Sequence, residues 1–300
     1  MSTELELKFL MPQQHLSQLV GMLPQLGHVA HSESTDLLNA YYDTADNWFR
    51  HHDMGLRTRL KRGRYEQTIK LAGTQHGAMQ MRPEYNLPCD SVVPVLAAFP
   101  THIWPEQTDI SVLQQALTEL FRTDFHRRSW QLKCDDGSVI ELVYDAGQVI
   151  AAGNSQAIAE LELELISGNA VNLFNLAQQL IQYLPLRTGW LSKAARGYQL
   201  AKKTPLVLPP AIGLTLVQQV KALQQAEACY QQQAQPDALA IAHEALLAIA
   251  RTVADIEALQ HTADIASALA ASLAAQQPVF AEQAYNQLLL TLSQYLFEQA

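Results

Sequence analysis

The sequence predicts an α+β chain: a closed, antiparallel β-barrel of about eight strands with a charged interior and helices around it, followed by a small all-α helical bundle. Three observations lead there. Several segments alternate charged and apolar residues with period two, their charged faces differ in sign, and the composition changes after Pro205. Successive side chains of a strand point to opposite faces, so in Glu4-Leu5-Glu6-Leu7-Lys8-Phe9 the charges share one side and the apolar residues the other. Likewise Arg57, Arg59 and Lys61 alternate with Leu56, Thr58 and Leu60, and Glu160, Glu162 and Glu164 with Leu161, Leu163 and Leu165. A lone strand of this kind is ordinarily a solvated sheet face. Like charges side by side on a sheet repel, however, so a basic face and an acidic one repeated along the chain need something between them. Closed inward, such a sheet sets acids on one wall and bases on another, which suits divalent cations joined to a polyanion.

The elements follow in order. Leu16, Leu19, Val20 and Leu23 stand at helical spacing behind Pro12, a helix to cover the barrel's apolar outer side. A strand over 34–44 is followed by a turn at Asp53-Met54-Gly55, a strand over 56–61 and a hairpin tip at Arg62-Gly63-Arg64. The return strand carries Glu66, Thr68 and Lys70 on one face. Residues 81–87 are extended, and Pro83 argues for an edge position or a bulge. Ile110, Leu113, Leu117, Leu120 and Phe121 mark an amphipathic helix. Four strands in meander order are expected over 125–133, 139–145, 149–152 and 158–166, with turns at Asp135-Asp136-Gly137 and Ala146-Gly147. A helix over 171–184 precedes another that Ser192 can cap and that carries Lys193, Arg196 and Tyr198.

The proline-punctuated linker after Lys202 divides the chain into domains 1–203 and 204–300. Beyond it Lys221 and Arg251 are the only strong bases, and Leu239, Ala242, Leu246, Ile249, Val253 and Ile256 form a packing seam. Pro236 and Pro278 separate helices. This tail is expected to pack as a separate bundle that steadies the barrel or mediates self-association, adding little polyanion affinity. A chain ending near Lys203 should then keep activity if it stays soluble.

A chain with 48% hydrophobic and 16% charged residues can bury a sizeable core. A net charge of −9 argues against a general nucleic-acid or anionic-membrane surface, so any polyanion needs a local basic cluster. Cys89, Cys134 and Cys229 are widely spaced and fit free thiols in a reducing compartment. No basic-then-apolar leader and no uninterrupted apolar run of about 18 residues is present, so a cytoplasmic protein is expected. The histidines are scattered, without metal-ligand spacing.

With Glu4-x-Glu6-x-Lys8 at its head, the chain resembles the CYTH superfamily, the triphosphate tunnel metalloenzymes. The likeness continues in order through Asn39-Ala40-Tyr41-Tyr42-Asp43-Thr44, Gly55-Leu56-Arg57-Thr58-Arg59, Gln67-Thr68-Ile69-Lys70, Arg82-Pro83-Glu84 and Phe125-His126-Arg127. It ends with Glu141-Leu142-Val143-Tyr144-Asp145, Ala159-Glu160-Leu161-Glu162-Leu163-Glu164 and Ser192-Lys193-Ala194-Ala195-Arg196-Gly197-Tyr198, the last block being similar to bacterial inorganic triphosphatases. Relatives often carry a longer basic helical domain, called CHAD, whose basic motifs are missing here.

The resemblance implies metal-dependent hydrolysis of inorganic triphosphate to diphosphate and phosphate. A triphosphate needs fixed cations on several sides, and Lys8, Arg57, Arg59, Lys70, Arg82, Arg127 and Lys193 can supply them from different elements. Mg²⁺ or Mn²⁺ takes oxygen ligands, for which the resemblance selects Glu4, Glu6, Glu160 and Glu162, with Asp145 nearby. The catalytic set it implies is Glu4, Glu6, Lys8, Glu160 and Glu162. Glu84 and Glu141 are expected to orient bases, Glu164 to pair with one, and Lys61 and Arg196 rank behind the main cations. Thiamine or nucleoside triphosphate hydrolysis, a class IV adenylate cyclase activity and non-catalytic polyphosphate binding remain open beside this reading. An organic substrate would need an additional aromatic or apolar pocket, for which Trp48, Trp104, Trp130 and Trp190 are available.

Overall fold

A computed structural model describes residues 2–299. Its strands are β1 (Ser2–Leu10), β2 (His28–Asp43), β3 (Gly55–Lys61), β4 (Arg64–Lys70), β5 (Thr74–His76), β6 (Met79–Cys89), β7 (Thr118–Lys133), β8 (Val139–Ala151), β9 (Asn154–Ser167) and β10 (Arg187–Thr188). Eight of them close in the order β1-β9-β8-β7-β2-β3-β4-β6 and back to β1, all antiparallel. The short β5 and β10 extend β6 and β1. The helices are α1 (Leu16–Leu26), α2 (Trp48–His51), α3 (Ile110–Ala116), α4 (Ala170–Tyr183), α5 (Lys193–Lys202), α6 (Leu216–Gln233), α7 (Asp237–Val253), α8 (Gln260–Ala274) and α9 (Gln283–Glu298).

Register carries one inward face around the whole ring. Arg82 stands opposite Glu4, Glu6 opposite Glu164, Lys8 opposite Glu162, Glu164 opposite Glu141 and Glu160 opposite Asp145. Asp145 in turn faces Arg127, Asn39 faces Arg59, Tyr41 faces Arg57, and Lys70 faces Glu84. Because the side-chain period is two, the apolar set of the same strands points outward. Leu5, Leu7, Phe9, Leu142, Leu161 and Leu163 accordingly pack with Leu173, Phe174 and Leu180 of α4 in the largest core.

One end of the barrel is filled by α5. Ser192 caps it, its Oγ accepting from the Ala195 N–H at 3.1 Å. Ala194 and Tyr198 pack on an interior apolar cluster that includes Leu37, Tyr41, Phe121, Phe125, Val149 and Ile158. Gly197 permits this approach, since a Cβ there would come within 2.1 Å of the Phe121 ring.

The structure corrects several expectations. Leu117, Leu120 and Phe121 do not continue a helix: α3 stops at Ala116, and β7 starts at Thr118 because it pairs with β2 as far as Asp43. Ala146-Gly147 is no turn, so the expected four-strand meander has three strands, β8 running through to Ala151. Gly147 suits that run, as a Cβ there would come within 2.2 Å of the Asp124 carbonyl oxygen. Of the edge or bulge expected at Pro83, the edge is excluded: Pro83 sits inside the closed ring, opposite Thr3 of β1, at an irregularity on its other side. It falls between the last β4 pair, Lys70–Glu84, and the first β5 pair, Thr74–Met81, where its missing N–H interrupts no ladder.

The tail forms its own core from Leu223, Leu246, Ile249, Leu269, Phe280 and Leu289 among others. Its last helix also belongs to the barrel. Leu290 lies in the main core, Ser293 Oγ accepts from the buried Ala78 N–H at 2.9 Å, and Asn286 Oδ1 accepts from the buried Thr188 N–H at 2.8 Å. Leaving a buried donor unpaired costs about 1–3 kcal/mol. A chain ending at Lys203 would orphan both and open the Leu290 site, so it is expected to aggregate or melt well below the full chain, contrary to the bundle's independence expected from composition. A truncated protein that stays soluble and melts with the full chain would count against this coupling.

Within that junction Glu227 of α6 is 4% exposed, takes the Tyr285 hydroxyl on Oε2 at 2.9 Å, and lies 3.6 Å from Arg187 Nε. Burial pushes its carboxyl up to about 7, against the pull of Arg187 and Tyr285. A raised carboxyl favours the protonated folded form, so its stabilising contribution is present below the unfolded value of 4.5 and is lost as pH rises through about 7. Glu227→Gln keeps an acceptor and cannot ionise. Its Tm should therefore gain on the parent's between about pH 5 and pH 8, and a constant difference in thermal melts would refute the assignment.

Candidate functional site

The charged half of the interior encloses a cavity of about 240 Å³. Glu4, Glu6, Lys8, Arg57, Arg59, Lys70, Arg82, Arg127, Glu162 and Lys193 line it, together with Glu84, Glu141 and Glu164. The barrel thus gathers residues from β1, β3, β4, β6, β7, β8, β9 and the head of α5.

The basic wall is crowded. Arg59 donates its Nε–H to Asn39 Oδ1 at 2.8 Å, and Asn39 in turn donates to Thr123 Oγ1 at 2.8 Å. Burial, then the neighbouring Arg57 and Arg127 guanidiniums, press Arg59 down to about 9. Arg57 keeps a buried Nε–H with no acceptor. Arg82, nearer the rim, donates its Nε–H to the Leu71 carbonyl at 3.0 Å.

The acidic wall is crowded in the opposite sense. Glu6, Glu164 and Glu141 stand abreast on three adjacent strands. Burial, then Glu162 and Glu4, raises Glu6 to about 8, and burial, then Glu4 and Glu141, raises Glu164 to about 7. Lys70 binds Glu4 and lies 3.4 Å from Glu84, whose Oε1 also accepts from Asn86 at 2.7 Å. Lys8 is 2% exposed and donates Nζ to the Leu191 carbonyl at 2.5 Å, burial lowering its ammonium against Glu160, Glu6 and Glu162.

Between the walls lies a neutral knot of three acids and three bases. Lys193 Nζ is 2.8 Å from Asp145, 2.7 Å from Glu160 and 2.7 Å from Glu162. Arg127 grips Asp145 through two 2.7 Å bonds and reaches Glu162 at 3.1 Å. Arg196 holds the other Glu160 oxygen at 2.6 Å. Although burial alone would raise Asp145, Arg127 and then Lys193 hold its carboxyl low.

Placement differs from the sequence expectation at several positions. Asp145 and Glu160 are fully buried and do not line the cavity, because α5 brings Lys193 and Arg196 onto their oxygens. Glu164 has no ion pair among the described residues, and neither does Glu141. Lys61 turns to Glu33 at 2.9 Å, outside the cavity. Arg196 is more central than its rank suggested. Tyr41, Asn39 and Asn86 were not singled out for the interior; their parity with Arg57, Arg59 and Thr68 was the available signal.

The donor chemistry of the acidic wall fits a hard cation. Carboxylates crowded enough to hold a proton near neutrality gain from a divalent ion, which favours oxygen ligands. Among the described residues no three His, Cys, Asp or Glu side chains converge on one point, so water or substrate oxygens would complete the coordination.

A closed barrel holding opposed acid and base walls places the chain in the class of antiparallel β-barrels with a charged interior. The CYTH domain pattern matches residues 2–198, and the chain belongs to the CYTH family. It is 34% identical over 204 residues to the inorganic triphosphatase of Haemophilus influenzae, covering 68% of this chain and 56% of that protein. The chain thus spans little more than half of that relative's length. Among solved structures, a Hippeastrum protein described as having a dominant triphosphatase activity is 16% identical, with 65% of this chain and 95% of that one aligned at a TM-score of 0.47. A Pyrococcus horikoshii protein is 15% identical, with 60% and 86% aligned at 0.34. No helix among the described residues is long and apolar enough to cross a membrane.

Proposed function

We propose that this chain hydrolyses inorganic triphosphate to diphosphate and phosphate inside the barrel, with Mg²⁺ or Mn²⁺. The observation that carries the reading is the mutual complement of the two walls that line one cavity: Arg59 stands beside Arg57 and Arg127 and is pressed down by burial and then by them, while Glu6 stands beside Glu162 and Glu4 and is pushed up by burial and then by them. Each wall lacks what a metal-bound polyphosphate brings. The Haemophilus relative's activity supports the same reading.

Arg57 and Arg59 would fork onto phosphate oxygens, and Lys8, Lys70, Arg82, Lys193 and Arg127, whose fork is held by Asp145, add charge from the remaining sides. Glu6, with Glu4 and Glu162 beside it, would hold the metal. When bound, the metal neutralises phosphate charge and lowers the pKa of a coordinated water. Glu164, which lines the cavity beside Glu6 and has no ion pair among the described residues, would be the carboxylate to take a proton from an attacking water. The arginines then meet charge building on the leaving diphosphate. Asp145 and Glu160 act by fixing Arg127 and Lys193 rather than by ligating the metal.

Inorganic rather than organic substrate is favoured by the lining. Tyr41 and Phe125 are its aromatic members, whereas Trp48, Trp104 and Trp130 pack outside the barrel. Phosphate release should be measured from inorganic triphosphate, thiamine triphosphate, ATP and long-chain polyphosphate, with and without divalent metal. Faster turnover of ATP or thiamine triphosphate than of inorganic triphosphate would overturn the substrate assignment.

A further inference from the structure

Two arginines that line the cavity are held in opposite ways. Arg127 gives its fork to Asp145 and a further bond to Glu162, so carboxylates neutralise it and occupy donors that could take phosphate. Arg59 is held through Nε alone, by the Asn39 side-chain oxygen at 2.8 Å, and has no ion pair among the described residues.

The hold on Arg59 is built across three strands. Arg59 stands opposite Asn39 on β2, and Asn39 opposite Thr123 on β7. Asn39 is 1% exposed and Thr123 is fully buried. A guanidinium only donates, which sets the oxygen of the Asn39 amide on Arg59 and turns the amide nitrogen to Thr123 Oγ1 at 2.8 Å. The hydroxyl thus locks the amide, and the amide locks the Nε edge of the guanidinium. Stability alone would favour a carboxylate in this place, because Arg57, Arg59 and Arg127 crowd one another and buried charge is stabilised by a counter-charge. An amide of the same shape leaves that repulsion standing.

We infer that Asn39 is a positioning residue for the phosphate clamp, a neutral acceptor that orients Arg59 without neutralising it. The inference rests on the triphosphate reading of the cavity given above. With Nε tethered, the terminal nitrogens of Arg59 meet phosphate oxygens with less side-chain freedom to lose on binding. With the tether uncharged, the whole charge of the guanidinium is left for the substrate. Asp145 does the reverse to Arg127, which is why the two arginines differ in what they can offer a polyanion.

The test is steady-state kinetics with inorganic triphosphate at saturating Mg²⁺, alongside thermal melts, on the full chain. The variants are Asn39→Asp, Asn39→Leu, Arg59→Ala, and Asn39→Leu combined with Arg59→Ala. Asn39→Asp keeps the shape and gives Arg59 a counter-charge, so KM should rise by about tenfold or more while Tm stays at the parent's value or above it. Binding and stability moving apart is what a merely structural role does not produce. Asn39→Leu removes the tether and adds no charge, so KM should rise by about three- to tenfold, with kcat falling no further than in Arg59→Ala. In the Arg59→Ala background the same leucine substitution should change KM by less than about twofold, since the group it positions is gone. Asn39→Asp with the parent's KM overturns the inference, and so does a raised KM that comes with a lowered Tm. An Asn39→Leu effect of equal size with and without Arg59 also overturns it, making Asn39 a packing residue. Should Asn39→Leu fail to fold, Asn39→Asp alone decides. If Arg59→Ala leaves both constants unchanged, the triphosphate reading of the basic wall falls and this inference with it, whereas an impaired Arg59→Ala beside a parental Asn39→Asp overturns this inference alone.

Discussion

Glu6→Gln is expected to lower triphosphate turnover by about 10²-fold or more while leaving the basic wall able to hold the substrate. The substitution keeps size and removes the carboxylate that faces Glu4 and Glu162 without a cation of its own. The metal concentration for half-maximal activity should rise as well. Arg59→Ala should do something different. It removes one phosphate clamp and no oxygen ligand, so KM rises, and kcat falls only as far as that guanidinium also meets transition-state charge. Relief of crowding tempers the loss, because Arg57 and Arg127 are then spared a like-charged neighbour. Kinetics over a matrix of metal and substrate concentrations separate the two effects. A Glu6→Gln enzyme with parental turnover at low metal, or an Arg59→Ala enzyme with both constants unchanged, would show that the walls do not divide the work in this way.

Much of this architecture was legible because period-two alternation runs through most of the strands, broken at the bulges near Val29, Tyr41 and Val139. The inward parity of Glu4, Glu6, Lys8, Arg57, Arg59, Glu66, Lys70 and Glu162 follows from strand geometry alone, and the register carries it around the closed ring. Where local pattern and long-range pairing disagreed, pairing won. Phe121 completes a helical stripe in sequence, but in the fold it stacks on Tyr41 at 4.4 Å, and Gly147 lets β8 pass close to β7 rather than turn. Charge type was readable, partner choice was not. Nothing local to Glu160 and Asp145 announces that a helix more than thirty residues further on will deliver Lys193 and Arg196 to them. The same holds for α9, whose Asn286 and Ser293 look like ordinary polar residues of a helical tail until they are seen to close backbone donors of the barrel.

The knot around Lys193 makes the largest demand on stability. Lys193→Met keeps much of the apolar stem but leaves Asp145, Glu160 and Glu162 with only Arg127 and Arg196 as ion-pair partners among the described residues, Lys8 acting on Glu160 and Glu162 without an ion pair, so the buried knot is one cation short. Removing one partner of a buried pair typically costs about 3–5 kcal/mol, far more than the pair contributes relative to an apolar replacement of both sides. For a chain of this size that corresponds to a fall in Tm of about 10 °C at neutral pH. The sign of the pH dependence follows from the missing charge. With Lys193 present its proximity helps hold Asp145 and Glu162 low, so both stay ionised and paired. Without it their carboxyls move up, and protonating one of them restores neutrality to the knot. The variant's deficit should therefore shrink as pH falls from about 8 to about 5, while the parent gains no such relief. Thermal melts of both proteins across that range, with triphosphate turnover measured on the folded fraction, test the whole chain of reasoning. A variant that melts with the parent at pH 8, or whose deficit is constant with pH, would mean that Lys193 does not balance these carboxylates. A variant that is fully stable yet inactive would instead make Lys193 a substrate clamp free of the anchoring role assigned to it here.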